Sequence, residues 1–186
     1  MFRELNDPLQ ITLNGQIFKR LISAAEIEEK VAAMAAQIRA DMGNAEVPVL
    51  LCILNGAFVF AADLVRYYEG LCELQFLRLS SYCGTDSTGK VTIYPGLDAE
   101  KFRGRRVVIV EDIVDTGLSM NRLLRELRQY EPRTIDVAAL FTKPARLCHD
   151  VKVSYSCFEI PDAFIVGYGL DYDGLYRNLP AIYVKE

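Results

Sequence analysis

Two stretches of this chain are apolar without interruption, VPVLLCIL (47–54) and VVIV (107–110), the second running straight into Glu111 and Asp112. A strand with one wet face alternates apolar and polar residues, so an unbroken run predicts a strand covered on both faces. Helices supply that cover in parallel sheets, where each crossover is long enough to hold one. The intervening segments read accordingly. In SAAEIEEKVAAMAAQIRADMG (23–43), Ser23 and Glu26 form a capping box, Ile27, Val31, Met34 and Ile38 follow helical spacing, and Gly43 is placed to end the helix. NGAFVFAADLVRYYEG reads as a turn and a helix, and LSMNRLLRELRQY as a helix with Leu118, Leu123, Leu124 and Leu127 inward. CELQFLRLSSY and TIDVAALFT read as further strands, followed by shorter apolar pieces at 164–169 and 181–186. Strands alternating with helices predict an α/β fold with a mainly parallel twisted sheet flanked by helices.

The 186 residues suit one domain and are ample for a core. The formal net charge is −4 and no Lys/Arg cluster stands out, so no nucleic-acid partner is expected. An anionic ligand would have to be held by local devices, backbone N–H groups or a metal. The five cysteines are odd in number and lack any C-x-x-C spacing, which points to reduced thiols in a cytoplasmic protein. The N-terminus has no apolar signal-peptide core, and no apolar run approaches the ~18 residues of a membrane span. The one histidine, His149, reads as a surface or loop residue.

In parallel sheets, ligands bind outside the carboxyl ends of the strands. There the chain places VVIVEDIVDTGLSM (107–120), with Glu111, Asp112 and Asp115 ahead of a Thr-Gly turn and a helix. Thr116, Gly117, Leu118 and Ser119 can present backbone N–H groups at a helix N-terminus, a nest for one phosphate. Glu111 and Asp112 can bind sugar hydroxyls directly or through Mg2+. Phosphate and diol together describe a ribose 5-phosphate. Two other readings fit strand and acids alone: a solvated turn with Asp115 capping the helix, or a receiver-like site gathering acids around magnesium. Two apparent nucleotide motifs fail. GTDSTGKV (84–91) begins like a P-loop but continues with Val91 and β-branched residues where a hydroxyl and a helix are needed, and GYGLDY (167–172) lacks its third glycine.

VVIVEDIVDTGLSM resembles the phosphoribosyl-pyrophosphate motif of type I phosphoribosyltransferases. ILNGAFVFAADLVR (53–66) is similar to the pyrophosphate loop and following helix of the purine-salvage branch, SYCGTDSTGKV (81–91) to its mobile loop, and LFTKPAR (140–146) and FEIPDAFIVGYGLDYDGLYRNLP (158–180) to its purine-binding segments. The similarity covers roughly residues 45–186 in the family's order and points to the hypoxanthine(-guanine) phosphoribosyltransferases. It implies a single domain over 1–186, with a small hood from the N-terminal segment and roughly 158–186 and a mobile loop over roughly 82–98. It also implies transfer of the 5-phosphoribosyl group from phosphoribosyl pyrophosphate to hypoxanthine, and to guanine, in a homo-oligomer (dimer or tetramer).

By the same resemblance, Asp115 is the acid at the purine N7, and Thr116 to Ser119 hold the 5′-phosphate. Glu111 and Asp112 meet the ribose hydroxyls and, with Asp171, the Mg2+. Leu54, Asn55, Gly56 and Arg177 hold pyrophosphate. Lys143 donates to the purine O6, Phe164 stacks on the ring and Ile165 reads it through its backbone. Ser81 and Tyr82 open the lid. Asn55 stands where many relatives carry Lys or Arg, and Ala163 where some carry Lys. A phosphoribosyltransferase-fold regulator that binds nucleic acid, and a xanthine-preferring relative, are the alternatives.

Overall fold

The computed structural model describes residues 7–43, 46–81, 91–94 and 98–186, and the side chains of 80, 81 and 91–94 lie outside the description. Hairpin β1 (Gln10–Leu13) and β2 (Gln16–Ile22) leads into α1 (Ala24–Met42), then β3 (Val49–Leu54), α2 (Phe58–Tyr67), β4 (Glu73–Ser81) and β5 (Val91–Tyr94). After the short α3 (Ala99–Phe102) come β6 (Arg106–Val114), α4 (Leu118–Arg128), β7 (Thr134–Thr142), β8 (Tyr155–Glu159), β9 (Ile165–Val166) and β10 (Ile182–Lys185).

The main sheet has the order β5-β4-β3-β6-β7-β8. It is parallel except for β5, which runs antiparallel on the β4 edge. The unbroken apolar runs are explained by double cover. Leu50 and Cys52 of β3, with Val108 and Val110 of β6, pack toward α1 and α2. Val49, Leu51 and Ile53, with Val107 and Ile109, pack toward α4. Helix α1 starts with both halves of the Ser23–Glu26 capping box and buries Ile27, Val31, Met34 and Ile38. Gly43 closes it at φ 67°.

Residues from both chain ends build a second, antiparallel sheet of order β1-β2-β10-β9. Its small core is Leu13, Phe18, Val166, Ala181 and Tyr183. Ile165, Tyr168, Leu170 and Ile182 join the main core, so the second sheet sits against the first layer rather than apart from it.

The feature that positions a site is the parting of β3 and β6. Chain connections leave β3 in opposite directions, toward β4 on one side and eventually β6 on the other. Such a switch point opens a crevice at the carboxyl ends of the strands. Pairing of β3 with β6 ends at Cys52↔Val110, whereas β6 continues against β7 as far as Val114↔Thr142. The last residues of β6, beginning with Glu111, therefore have β7 on one side and open space on the other.

The structure corrects several sequence expectations. Leu118 is 38% exposed rather than inward, because it opens α4 over the crevice; the buried positions are Met120, Leu123, Leu124 and Leu127. The apolar piece at 164–169 yields only the two-residue β9, since Gly167 and Gly169 turn the chain away at φ 105° and 98°. Within the stretch expected as a mobile loop, Val91–Tyr94 pair with β4 as strand β5; 82–90 and 95–97 lie outside the described residues. The hairpin β1–β2 and strand β8 had no clear pattern in the sequence. Leu127→Ala should destabilise the protein by about 2–5 kcal/mol, as for a buried leucine, while Leu118→Ala should cost under about 1 kcal/mol. Denaturant melts of both variants check this, and equal losses would contradict the assigned faces.

Candidate active site

Three segments distant in sequence meet in the β3/β6 crevice. The first is the turn after β3, where the Leu54–Asn55 peptide is cis. The second is the end of β6. Gly56 lies so close to it that a Cβ there would sit 1.8 Å from Asp112 Oδ2. No other residue type fits without displacing the carboxylate. The third is the stretch after β9. Gly169 packs on the Gly56 carbonyl, a Cβ there coming within 2.2 Å of it. Arg177 Nη1 donates to the Gly169 carbonyl at 2.6 Å, and its Nη2 lies 2.6 Å from Asp171 Oδ1. Asp171 Oδ2 accepts from the Gly174 N–H at 2.8 Å. Gly56, Asp112, Asp171 and Arg177, four of the residues expected at a pyrophosphate and metal site, thus belong to one contiguous wall.

The carboxylates Glu111 and Asp112 are half-buried as whole side chains, yet Glu111 Oε2 is fully enclosed and has no hydrogen-bond partner. Burial pushes the Glu111 pKa well above the ordinary glutamate range, and the Asp112 charge and the bond between the two carboxyls push it further. Burial also raises Asp112, opposed by hydrogen bonds from Glu111 and backbone N–H groups and by the Arg177 charge. Two interacting acids of this kind titrate as a pair. Beneath them the Cys52 thiol is raised to about 12 by burial and by the two acids, which leaves it unreactive.

Among the described residues, no three His, Cys, Asp or Glu side chains converge as a metal cage. An enclosed, unpartnered carboxylate oxygen beside a second acid is nonetheless a fitting partner for a magnesium ion that keeps waters and substrate oxygens as its other ligands.

At the end of β6, Asp115, Thr116, Gly117, Leu118 and Ser119, together with Glu111 and Leu79, line a cavity of about 120 Å³. Gly117 holds the left-handed conformation, φ 81°, as the N-cap of α4, and no side chain caps the helix. Asp115 therefore does not serve as the cap; the Leu118 N–H donates to Thr116 Oγ1 at 3.4 Å, and a helix N-terminus of this kind is suited to an anionic ligand. The loop after β7 braces this turn from behind: the N–H groups of Cys148 and His149 both donate to the Thr116 carbonyl, at 3.1 and 3.2 Å.

The remaining expected residues gather nearby. Lys143 is only 11% exposed and donates to Asp162 Oδ1 and the Ala163 carbonyl, each at 3.1 Å. It is not the solvated lysine that a position before Pro144 would otherwise suggest. Phe164 is 48% exposed and stands edge-on to Tyr172, with ring centroids 5.4 Å apart, and to Phe18 at 6.4 Å. Ile165 is buried in β9, paired with Val184. Ser81 ends β4 opposite Val91; Tyr82 lies outside the described residues. Sequence reasoning missed Arg146, whose Nε lies 2.6 Å from Asp115 Oδ1, and Asp162, whose Oδ2 accepts from Arg146 Nη1 at 2.7 Å. It also missed Tyr172 and Phe18 beneath Phe164. The only signal was that Arg146, Asp162 and Tyr172 lie inside segments already marked by the family resemblance.

The phosphoribosyl transferase domain pattern matches residues 20–173 of the chain. The chain belongs to the phosphoribosyl transferase family. It is 40% identical over 175 residues to a hypoxanthine-guanine phosphoribosyltransferase of Bacillus subtilis, covering 94% of this chain and 96% of that one. It is 38% identical to the human hypoxanthine-guanine phosphoribosyltransferase, covering 82% of this chain and 74% of the human one. A Bacillus anthracis hypoxanthine-guanine phosphoribosyltransferase crystal structure, with HEPES in its active site, superposes with a TM-score of 0.83 at 40% identity, covering 89% of this chain and 97% of that one. Membership of the phosphoribosyl transferase family agrees with the parallel sheet and with a crevice at its switch point, and it assigns the chain to an enzyme family.

The acid pair generates a pH prediction for this phosphoribosyl transferase. A carboxyl that binds its proton more tightly folded than unfolded stabilises the fold at low pH. That contribution is lost as pH rises from the ordinary value of 4.5 through the elevated folded value. Without divalent ions, Glu111→Gln should melt increasingly above the parent as pH is raised from about 5 to about 8. A difference in melting temperature that does not change with pH would refute the shifted acid.

Proposed function

We propose that this phosphoribosyl transferase serves purine salvage, moving the 5-phosphoribosyl group of phosphoribosyl pyrophosphate onto hypoxanthine and guanine to give IMP and GMP with release of pyrophosphate. The observation that carries the reading is the convergence, at one switch point, of the Gly56 turn, the Glu111–Asp112 pair and the Asp171–Arg177 wall beside the Thr116–Ser119 nest. The names of the relatives point the same way.

On this reading the 5′-phosphate sits on the backbone donors of Thr116 to Ser119 and the ribose hydroxyls face Glu111 and Asp112. The pyrophosphate lies against Leu54, Asn55, Gly56 and Arg177. Cleavage of the anomeric bond builds positive charge on the ribose and negative charge on the leaving group. The acids balance the first, and Arg177 with the turn's N–H groups balances the second. Magnesium, held by Glu111, Asp112 and Asp171 with the substrate, would neutralise pyrophosphate charge. As the purine nitrogen attacks, Asp115 takes or shares the N7 proton. Phe164 offers its exposed face to the base, Ile165 its backbone, and Lys143 a donor to O6. The lid role given to Ser81 and Tyr82 is to keep water from the reacting ribose; Tyr82 lies outside the described residues. The chain-end sheet acts as a hood of the same single domain. The protein works in the cytoplasm as a homo-oligomer (dimer or tetramer). Among the described residues, no helix is long and apolar enough to cross a membrane. Nothing in the site favours the regulatory nucleic-acid reading.

Asp115→Asn should lower the turnover of hypoxanthine to IMP by about 10²–10⁴-fold, the usual contribution of a general acid–base group, with donor affinity little changed. A chelator should abolish the activity of the parent enzyme. Steady-state kinetics with and without EDTA tests both, and full turnover in excess chelator would remove the metal from the reading.

Lys143 presents only donors, so it favours an acceptor at purine position 6 and is left unmatched by adenine's amino group. The mismatch costs roughly 1–3 kcal/mol. Hypoxanthine should be used well, guanine to some degree and adenine hardly at all. Lys143→Ala should narrow the gap to adenine, and Phe164→Ala should weaken all purines alike. Turnover efficiencies for the three bases, with xanthine added, decide the matter; adenine equal to hypoxanthine would overturn the assignment.

A further inference from the structure

Four charged side chains form a continuous chain across the base side of the crevice: Asp115, Arg146, Asp162 and Lys143. Each middle member is engaged at both ends. Arg146 places Nε 2.6 Å from Asp115 Oδ1 and donates from Nη1 to Asp162 Oδ2 at 2.7 Å. Asp162 uses its other oxygen, Oδ1, to accept from Lys143 Nζ at 3.1 Å. At Asp115 the contact is an ion pair that holds the enclosed Oδ1 against the guanidinium.

Exposed ion pairs usually contribute little, because two long side chains lose freedom for a screened attraction. Here the loop carrying Arg146 is already ordered by the backbone. The Lys143 N–H donates to the Val114 carbonyl at 3.1 Å, the Arg146 N–H to the Lys143 carbonyl at 2.9 Å, and the Cys148 N–H to the Thr116 carbonyl at 3.1 Å. Strand end, turn and loop therefore clamp the residues on either side of Asp115, and the guanidinium spans the remaining gap. Lys143 has three donors. Asp162 and the Ala163 carbonyl take two of them, which fixes the ammonium and leaves one for a ligand.

We infer that Arg146, braced by Asp162, is a positioning residue for Asp115, and that Asp162 bridges Asp115 to Lys143 so that the base-recognising donor and the proton acceptor are held at a fixed separation. This rests on the roles given above to Asp115 and Lys143. Holding both groups relative to one rigid purine places its O6 and N7 together, and a small misplacement of a reacting group is costly to the rate.

The test is steady-state kinetics of IMP formation for Arg146→Ala, Arg146→Lys, Asp162→Asn, Asp115→Asn and the double variant Asp115→Asn/Arg146→Ala. Arg146→Ala should lower kcat about 10- to 100-fold with the donor KM unchanged, and Arg146→Lys should recover part of the loss. In the Asp115→Asn background, Arg146→Ala should have no further effect, since an arginine that acts only through Asp115 has nothing left to position. Asp162→Asn should both lower kcat and raise the hypoxanthine KM. An Arg146→Ala enzyme as fast as the parent, or faster, overturns the inference, as do Asp115 and Arg146 losses that multiply or an Asp162→Asn variant with normal KM. If the parent makes no nucleotide, or Asp115→Asn is as fast as the parent, the underlying assignment falls and takes this inference with it.

Discussion

Everything in the site depends on β3 and β6 ceasing to pair at Cys52 and Val110 while β6 goes on against β7. Below that point both strands are buried between two helical layers and, after Arg106 at the start of β6, are uniformly apolar. Above it, Glu111 and Asp112 enter a space that no strand fills. The cost of enclosing two acids there is visible in their raised proton affinities. The double-sided core beneath holds the strand that carries them, because its packing residues, Val107 to Val110, are fully buried.

The second constraint is the return of the chain end. The stretch from β9 to β10 brings Gly169 onto the Gly56 carbonyl and Arg177 onto Asp171. The same stretch pairs β10 with β2 of the N-terminal hairpin. The chain-end sheet is therefore also the wall of the crevice, and Phe164 at its margin is supported by Phe18 and Tyr172. Packing, electrostatics and ligand-facing surface are shared by the same few residues, so a change in one is felt in the others.

Much of this was legible from residue patterns. The apolar runs at 47–54 and 107–110 required double cover and so a parallel sheet. The capping box at Ser23 and Glu26 formed as read, since both partners lie within one turn. The glycine turn before α4 formed as read, because its geometry is local. Leu118 was misread because helical spacing gives a face but not where the helix lies relative to a crevice. The extent of β9 came only from the structure, because apolar content at 164–169 does not reveal where glycines reverse the chain.

By itself the sequence determined what depends on neighbours in the chain: helix ends, strands that must be buried twice, the acids after Val110 and the turn at Thr116–Gly117 that opens α4. Only the tertiary structure decided which distant groups meet. The Gly56–Asp112 approach, the Gly169–Gly56 contact and the Asp115–Arg146–Asp162–Lys143 chain join residues on separate elements. The physical reason is that propensity and periodicity act over a few residues, whereas proton affinity, ion pairing and close packing depend on distances set by the whole sheet.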